Sequence, residues 1–129
     1  MNYLTADQVL FIHYRLISET GGDHEVNDPA GLAATLRNAK TSPEEIDFPH
    51  SLFRSAAGLL HSLVKTSFFS EGNLATAIAV TELLLRMNGY RLAVDHRTLQ
   101  EFLGKIKRGE ININQIEHWF RYNSIVLEY

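Results

Sequence analysis

Two stretches, LFRSAAGLLHSLVKT (residues 52–66) and LATAIAVTELLLRMNGY (residues 74–90), leave this chain little freedom in what it can fold into. Each has a helical period, and each is apolar around most of its circumference rather than along a single stripe. A helix of that kind is stable only when other elements surround it. A short polar break, SEGN, separates the two, so they are read as an antiparallel pair at the centre of the fold. Asn88-Gly89 closes the second.

The rest of the chain is expected to cover that pair. Thr5 and Gln8 form a T-x-x-Q capping box, opening a helix that carries Val9, Leu10, Ile12, Leu16 and Ile17. Gly21 and Gly22 end it. Asp28 is an N-cap with Pro29 at the first helical position, starting a short helix with Leu32 and Leu36. The segment TSPEEIDFPHS, containing Pro43 and Pro49, is read as a loop or flap. Asp95 caps a helix carrying Leu99, Phe102, Leu103 and Ile106, which stops before Gly109. Asn114 with Glu117 is expected to cap the last helix, which bears Ile116, Trp119 and Phe120. The alternations ININ (111–114) and SIVLEY (124–129) are short and allow at most one hairpin. The expectation is an all-α, compact single-domain bundle of about six helices over residues 1–129.

Composition narrows the function classes. The net charge of −3 gives no global basic footprint, so direct nucleic-acid binding is not expected. The one basic cluster, KIKR (105–108), sits at a helix end, where cations suit the helix dipole. With no cysteine there are no disulfides and no thiolate metal sites. The six histidines show no H-x-x-x-H spacing. No run of about 18 apolar residues is present to span a membrane, and MNYLTADQVLFIHYRL, without a basic segment followed by a continuous apolar stretch, is not expected to act as a signal peptide. A soluble, cytoplasmic protein is the expectation.

The stretch SFFSEGNLATA (67–77) lies between the two central helices. Taken alone, it is a polar loop running into a helix start, whose backbone N–H groups could hold a phosphate. Its surroundings give it a sharper meaning. The order of pieces YLTADQVLFIHYRLI, Gly-Gly, NDPAGLAATL, AAGLLHSLVK, MNGY and RGEINI resembles the Fic/Doc (Fido) family, in particular its Doc toxin branch, from about residue 3 to 122. The family motif, approximately H-P-F-x-D/E-G-N-K/G-R-T-A, falls on residues 67–77 without a gap. Phe69, Glu71, Gly72, Asn73, Thr76 and Ala77 agree with it. Ser67 stands at the histidine position, Leu74 at the Lys/Gly position and Ala75 where members carry arginine or lysine.

The resemblance implies transfer of a phosphate-containing group from a nucleotide to a hydroxyl: AMP for Fic enzymes, a phosphoryl group for Doc toxins. It implies Mg²⁺ and ATP or another nucleotide as cofactors if binding persists, and none if it does not. The motif histidine would take the proton of the attacking hydroxyl, which a serine at neutral pH cannot do. A positioned base contributes about 10²–10⁴-fold. The cation at position 75 would neutralise transition-state charge, and alanine supplies none. Glu71 remains a ligand suited to Mg²⁺, and Gly72, Asn73 and Thr76 form the expected phosphate-binding segment at a helix N-terminus.

Each of these residues also has a plain structural reading. Gly72-Asn73 is a helix entry, Glu71 a partner for the helix dipole, and Phe68 and Phe69 are core, with Phe69 as the anchor of the turn. His61, one to two turns before the motif, is either a displaced base or a hydrogen-bonded core histidine. His13 has the same core reading. Lys65 is a solvated lysine or a point charge for phosphate, and Arg86 faces solvent.

The expected function is therefore a toxin–antitoxin-type member without transferase chemistry, retaining nucleotide, phosphate or protein-partner binding. The partner implied by the resemblance is an antitoxin whose helical tail lies in a groove. One alternative is an active phosphoryl or AMP transferase with rerouted residues, Glu71 with a metal and His61, or another histidine from the loop after Pro43, as base. Another is a structural or regulatory subunit, such as a homodimer, with NSIVLEY as a contact strand.

Overall fold

The computed structural model describes residues 1–40 and 47–128. Six helices follow one another: α1 (Ala6–Thr20), α2 (Pro29–Asn38), α3 (His50–Lys65), α4 (Asn73–Met87), α5 (His96–Lys107) and α6 (Ile113–Asn123). Two short strands complete the fold, β1 (Tyr90–Leu92) and β2 (Ser124–Val126). This is the all-α bundle of about six helices that the periodicity predicts. Most of the expected loop or flap around Pro43 lies outside the described residues.

The helix starts show why local sequence is a good guide here. Thr5 accepts from the Gln8 N–H while the Gln8 side chain accepts from the Thr5 N–H, closing the box. Asp28 accepts from the Gly31 N–H at 2.9 Å and Asp95 from the Thr98 N–H at 2.7 Å. Each bond satisfies a first-turn donor that has no partner inside its helix.

α3 is the hub, packing against α2, α4, α5 and α6. Its buried residues run almost around the helix, from Leu52 and Phe53 through Ala56, Ala57, Leu59 and Leu60 to Leu63 and Val64. α4 lies beside it, burying Ala77, Val80, Leu84 and Leu85. α1 covers α4, and Phe102 of α5 stacks on Trp119 of α6 with ring centroids 4.0 Å apart.

One expectation is corrected, and the limit of at most one hairpin holds among the described residues. The last helix is capped by Asn112 with Gln115, not by Asn114 with Glu117. Glu117 instead faces Arg54 on α3 at 3.9 Å, so it is turned away from the helix start. The segment ININ is no strand, because its alternation is taken up by that cap and the first turn of α6. The sheet is not a local hairpin either. β1 pairs antiparallel with β2, Tyr90 opposite Val126 and Leu92 opposite Ser124, so YRL supplies a strand that three residues could not announce.

Candidate functional site

The loop between α3 and α4 is built by bonds from both sides. Phe69 forms an antiparallel bridge with Val26, and the segment after α1 zips along it. The Asn27 N–H donates to the Phe68 carbonyl (2.7 Å) and the Ser70 N–H to the Glu25 carbonyl (3.1 Å). The Asn27 side chain donates to the Ser67 carbonyl at 3.3 Å, and Ser70 Oγ donates to Asn27 Oδ1 at 2.9 Å. From within the loop, Asn73 Oδ1 accepts from the Phe69 N–H (3.1 Å) and Asn73 Nδ2 donates to the Phe69 carbonyl (2.8 Å). Asn73 therefore closes the turn on itself rather than capping α4.

Below the loop, the Phe69 ring is 1% exposed and stacks on His13, with centroids 3.8 Å apart and planes 10° from parallel. His13 Nε2 donates to the Glu71 carbonyl at 2.9 Å. A carbonyl only accepts, so this nitrogen carries its proton and is not a base. His13 is thus the hydrogen-bonded core histidine that the sequence suggested, and only its support of this loop was left unread. Its only signal was a polar ring in register with Val9 and Ile17 on the buried stripe of α1.

Two glycines make the approach of α1 to the loop feasible. Gly72 has φ +78°, a conformation L side chains rarely adopt, and a Cβ there would lie 2.8 Å from Ile17 Cδ1. Gly22 lets the Glu71 carboxylate come against the backbone, since a Cβ would lie 2.3 Å from Glu71 Oε2. That oxygen accepts from the Asp23 N–H. With Oε2 so held, Oε1 is the carboxylate oxygen left for a cation.

The chemistry-bearing positions are on the outside. Ser67, Leu74 and Ala75 are exposed, with Leu74 at 39%. No side chain caps α4, so its opening N–H groups lie beneath these small or apolar residues. The Thr76 N–H is spent on the Gly72 carbonyl at 2.9 Å. Its hydroxyl is buried without a hydrogen-bond partner among the described residues. The expected phosphate-binding trio thus divides: Asn73 can offer its N–H, Gly72 shapes the turn, and Thr76 offers neither group in this arrangement.

Electrostatically the loop is acidic. Asp23, Glu25 and Glu71 meet there, with Glu25 held by its N–H to Asp23 Oδ1 at 2.8 Å. No Lys or Arg occurs from residue 66 to residue 85. Lys65 turns away, donating to the Lys107 carbonyl at the end of α5 (3.2 Å), and Arg86 is exposed at the far end of α4. A polyphosphate would meet carboxylates here, so it would need a cation between. Mg²⁺ carried by phosphates takes one or two carboxylates rather than a full protein cage. Glu71 fits that limited role, although no cluster of three or more ligating groups occurs among the described residues.

His61 is not joined to this loop by any hydrogen bond or ring contact among the described residues. It lies seven residues beyond Arg54, on the same face of α3, and Arg54 looks toward Glu117 of α6. The structure thus brings His13, Phe69, Glu71 and Asn73 together and leaves His61 on another side of the hub. Among the described residues no helix is long and apolar enough to cross a membrane.

No curated protein matches this chain. A family model described as the Fic/DOC family matches residues 3–85. That span runs from the residues before α1 into the last turns of α4 and takes in the whole loop, its histidine support and both glycine approaches. It covers more than half of the sequence, and the helical bundle is the fold such a match leads one to expect. The chain belongs to the Fic/DOC family.

Proposed function

We propose that this is a Doc-like member of toxin–antitoxin type that has lost transferase chemistry and acts by binding. One observation carries the reading: the loop is firmly held, by Asn73 from within and by His13 and Asn27 from outside, while its three exposed chemical positions are Ser67, Leu74 and Ala75. The motif's base and cation are both replaced at these positions. Two candidate substitutes are turned elsewhere, with His13 donating to a carbonyl and Lys65 tied to α5.

Two features support the binding half. The opening N–H groups of α4 are uncapped, and Glu71 stands beside them with one oxygen for Mg²⁺, a pairing suited to a nucleotide phosphate. For a protein partner, an apolar groove of about 390 Å³ runs between α1 and α4, lined by Asp7, Gln8, Phe11, Ile12 and Leu83. Phe11 is 61% exposed there, which suits the apolar face of an antitoxin helix.

Calorimetric titration with ATP and Mg²⁺ tests the reading. Binding that needs the metal and disappears in Glu71→Ala supports a retained nucleotide site. Absence of binding in both proteins restricts the function to protein partners. Transfer of phosphate or AMP by the wild-type chain would sink the proposal. The Ser67→His, Leu74→Lys, Ala75→Arg triple variant is expected to gain transfer, because it restores the motif's base and cation to exposed positions of the loop.

A further inference from the structure

The sheet has an open side. β2 is paired only with β1 among the described residues, and the flanking bonds decide which of its backbone groups are used. The Ala93 N–H donates to the Asn123 carbonyl (2.6 Å), and the Leu127 N–H donates to the Gly89 carbonyl (2.9 Å). In an antiparallel ladder these bonds recur at every second residue. Asn123, Ile125 and Leu127 therefore address β1, while Ser124 and Val126 turn their N–H and C=O groups outward.

An exposed edge of this sort is usually blunted by lysine, proline or a bulge. The segment from Tyr122 to Leu127 contains neither lysine nor proline. It shows apolar surface instead, with Tyr122 77% exposed, Val126 62% and Ile125 41%.

We propose that this edge binds a second copy of the same chain, β2 pairing antiparallel with β2 about a two-fold axis at Ile125. In that register Ser124 of each copy faces Val126 of the other, so every outward donor meets an outward acceptor. Charge favours the same arrangement. Arg121 lies at one end of the segment and Glu128 at the other, both exposed. An antiparallel two-fold brings the Arg121 end of one copy to the Glu128 end of the other. Parallel pairing would set arginine beside arginine and glutamate beside glutamate. A three-residue strand gives a small interface, so the dimer is of the weak, transient class. The proposal is independent of what the loop around Glu71 binds.

Analytical ultracentrifugation across a wide concentration range tests it. The wild-type chain is expected to pass from monomer to dimer as concentration rises. Val126→Pro removes the outward N–H and leaves the Ile125 pairing with β1 intact, since proline is tolerated on an edge. By symmetry it deletes two intermolecular bonds, and association is expected to weaken about tenfold or more. Arg121→Glu and Glu128→Arg should each weaken the dimer, and the double variant should restore it. The restoration is a readout that survives if the proline variant folds poorly. A wild-type chain that stays monomeric at every concentration, or a dimer indifferent to these changes, overturns the proposal. So does a dimer that the single charge reversals weaken and the double variant fails to restore.

Discussion

Asn73 shows how much one side chain can organise. Its amide makes both bonds to the Phe69 backbone, at 3.1 and 2.8 Å, in a partly buried site. Asn73→Ala leaves a backbone donor and acceptor there without partners. The expected cost is about 1–3 kcal/mol, measured by urea unfolding. Asn73→Asp can keep the bond from the Phe69 N–H but cannot donate to the carbonyl, so it should fall between alanine and wild type. At this scale the sequence conveyed the residue type and its place in the motif, while the use of the amide stayed hidden. An asparagine at a helix entry ordinarily caps the helix. Here Gly72 takes the N-cap position, and the amide is free to reach back into the loop. The same is true of His13, whose partners lie 58 residues away in the chain at Glu71.

Helix caps test the element scale. Sequence spacing pointed to Asn114 with Glu117 as the cap of α6, whereas Asn112 with Gln115 forms it and Asn114 lies in the first turn. Asn112→Ala should destabilise by about 0.5–2 kcal/mol, as loss of an N-cap does. Asn114→Ala, in the first turn, should fall within about 0.5 kcal/mol of wild type. Thermal or urea unfolding of both variants checks the assignment. Asp95 caps α5, and the Thr98 N–H it accepts from, followed by the Thr98 hydroxyl, holds its carboxyl below the usual aspartate range. Its folded pKa is depressed, so its contribution is fully present above the ordinary aspartate pKa. It is lost as pH falls through the lowered folded value. Carboxyl NMR titration should place Asp95 below the ordinary aspartate pKa, and Asp95→Asn should flatten that part of the acid-stability profile.

For the whole molecule, the hub position of α3 makes its core residues the sensitive ones. Leu60 is 2% exposed at the centre of the helix. Leu60→Ala is expected to cost about 2–5 kcal/mol, read from the unfolding midpoint at unchanged m-value. The loop around Glu71 should loosen only through that global loss, because its own support comes from α1 and the segment after it. Nucleotide or partner binding by Leu60→Ala is therefore expected to match wild type at temperatures where the variant is folded. A selective loss of binding in the folded variant would show that α3 packing and loop geometry are coupled.

The sequence by itself determined the elements whose partners are local. Thr5, Asp28 and Asp95 each cap through a bond three residues ahead, and the central pair declared itself by being apolar on most faces. The residue types between the two central helices, Ser67, Leu74 and Ala75 among them, were equally plain, since they are read directly from the chain. Tertiary structure decided what depends on contacts between distant residues. It paired Tyr90–Leu92 with Ser124–Val126 and turned Glu117 toward Arg54. It set His13 under Phe69 and bonded the Asn27 N–H to the Phe68 carbonyl. A periodic pattern says which face of a helix is buried, but not which neighbour it meets, and at this loop the neighbours decide which groups remain free to bind.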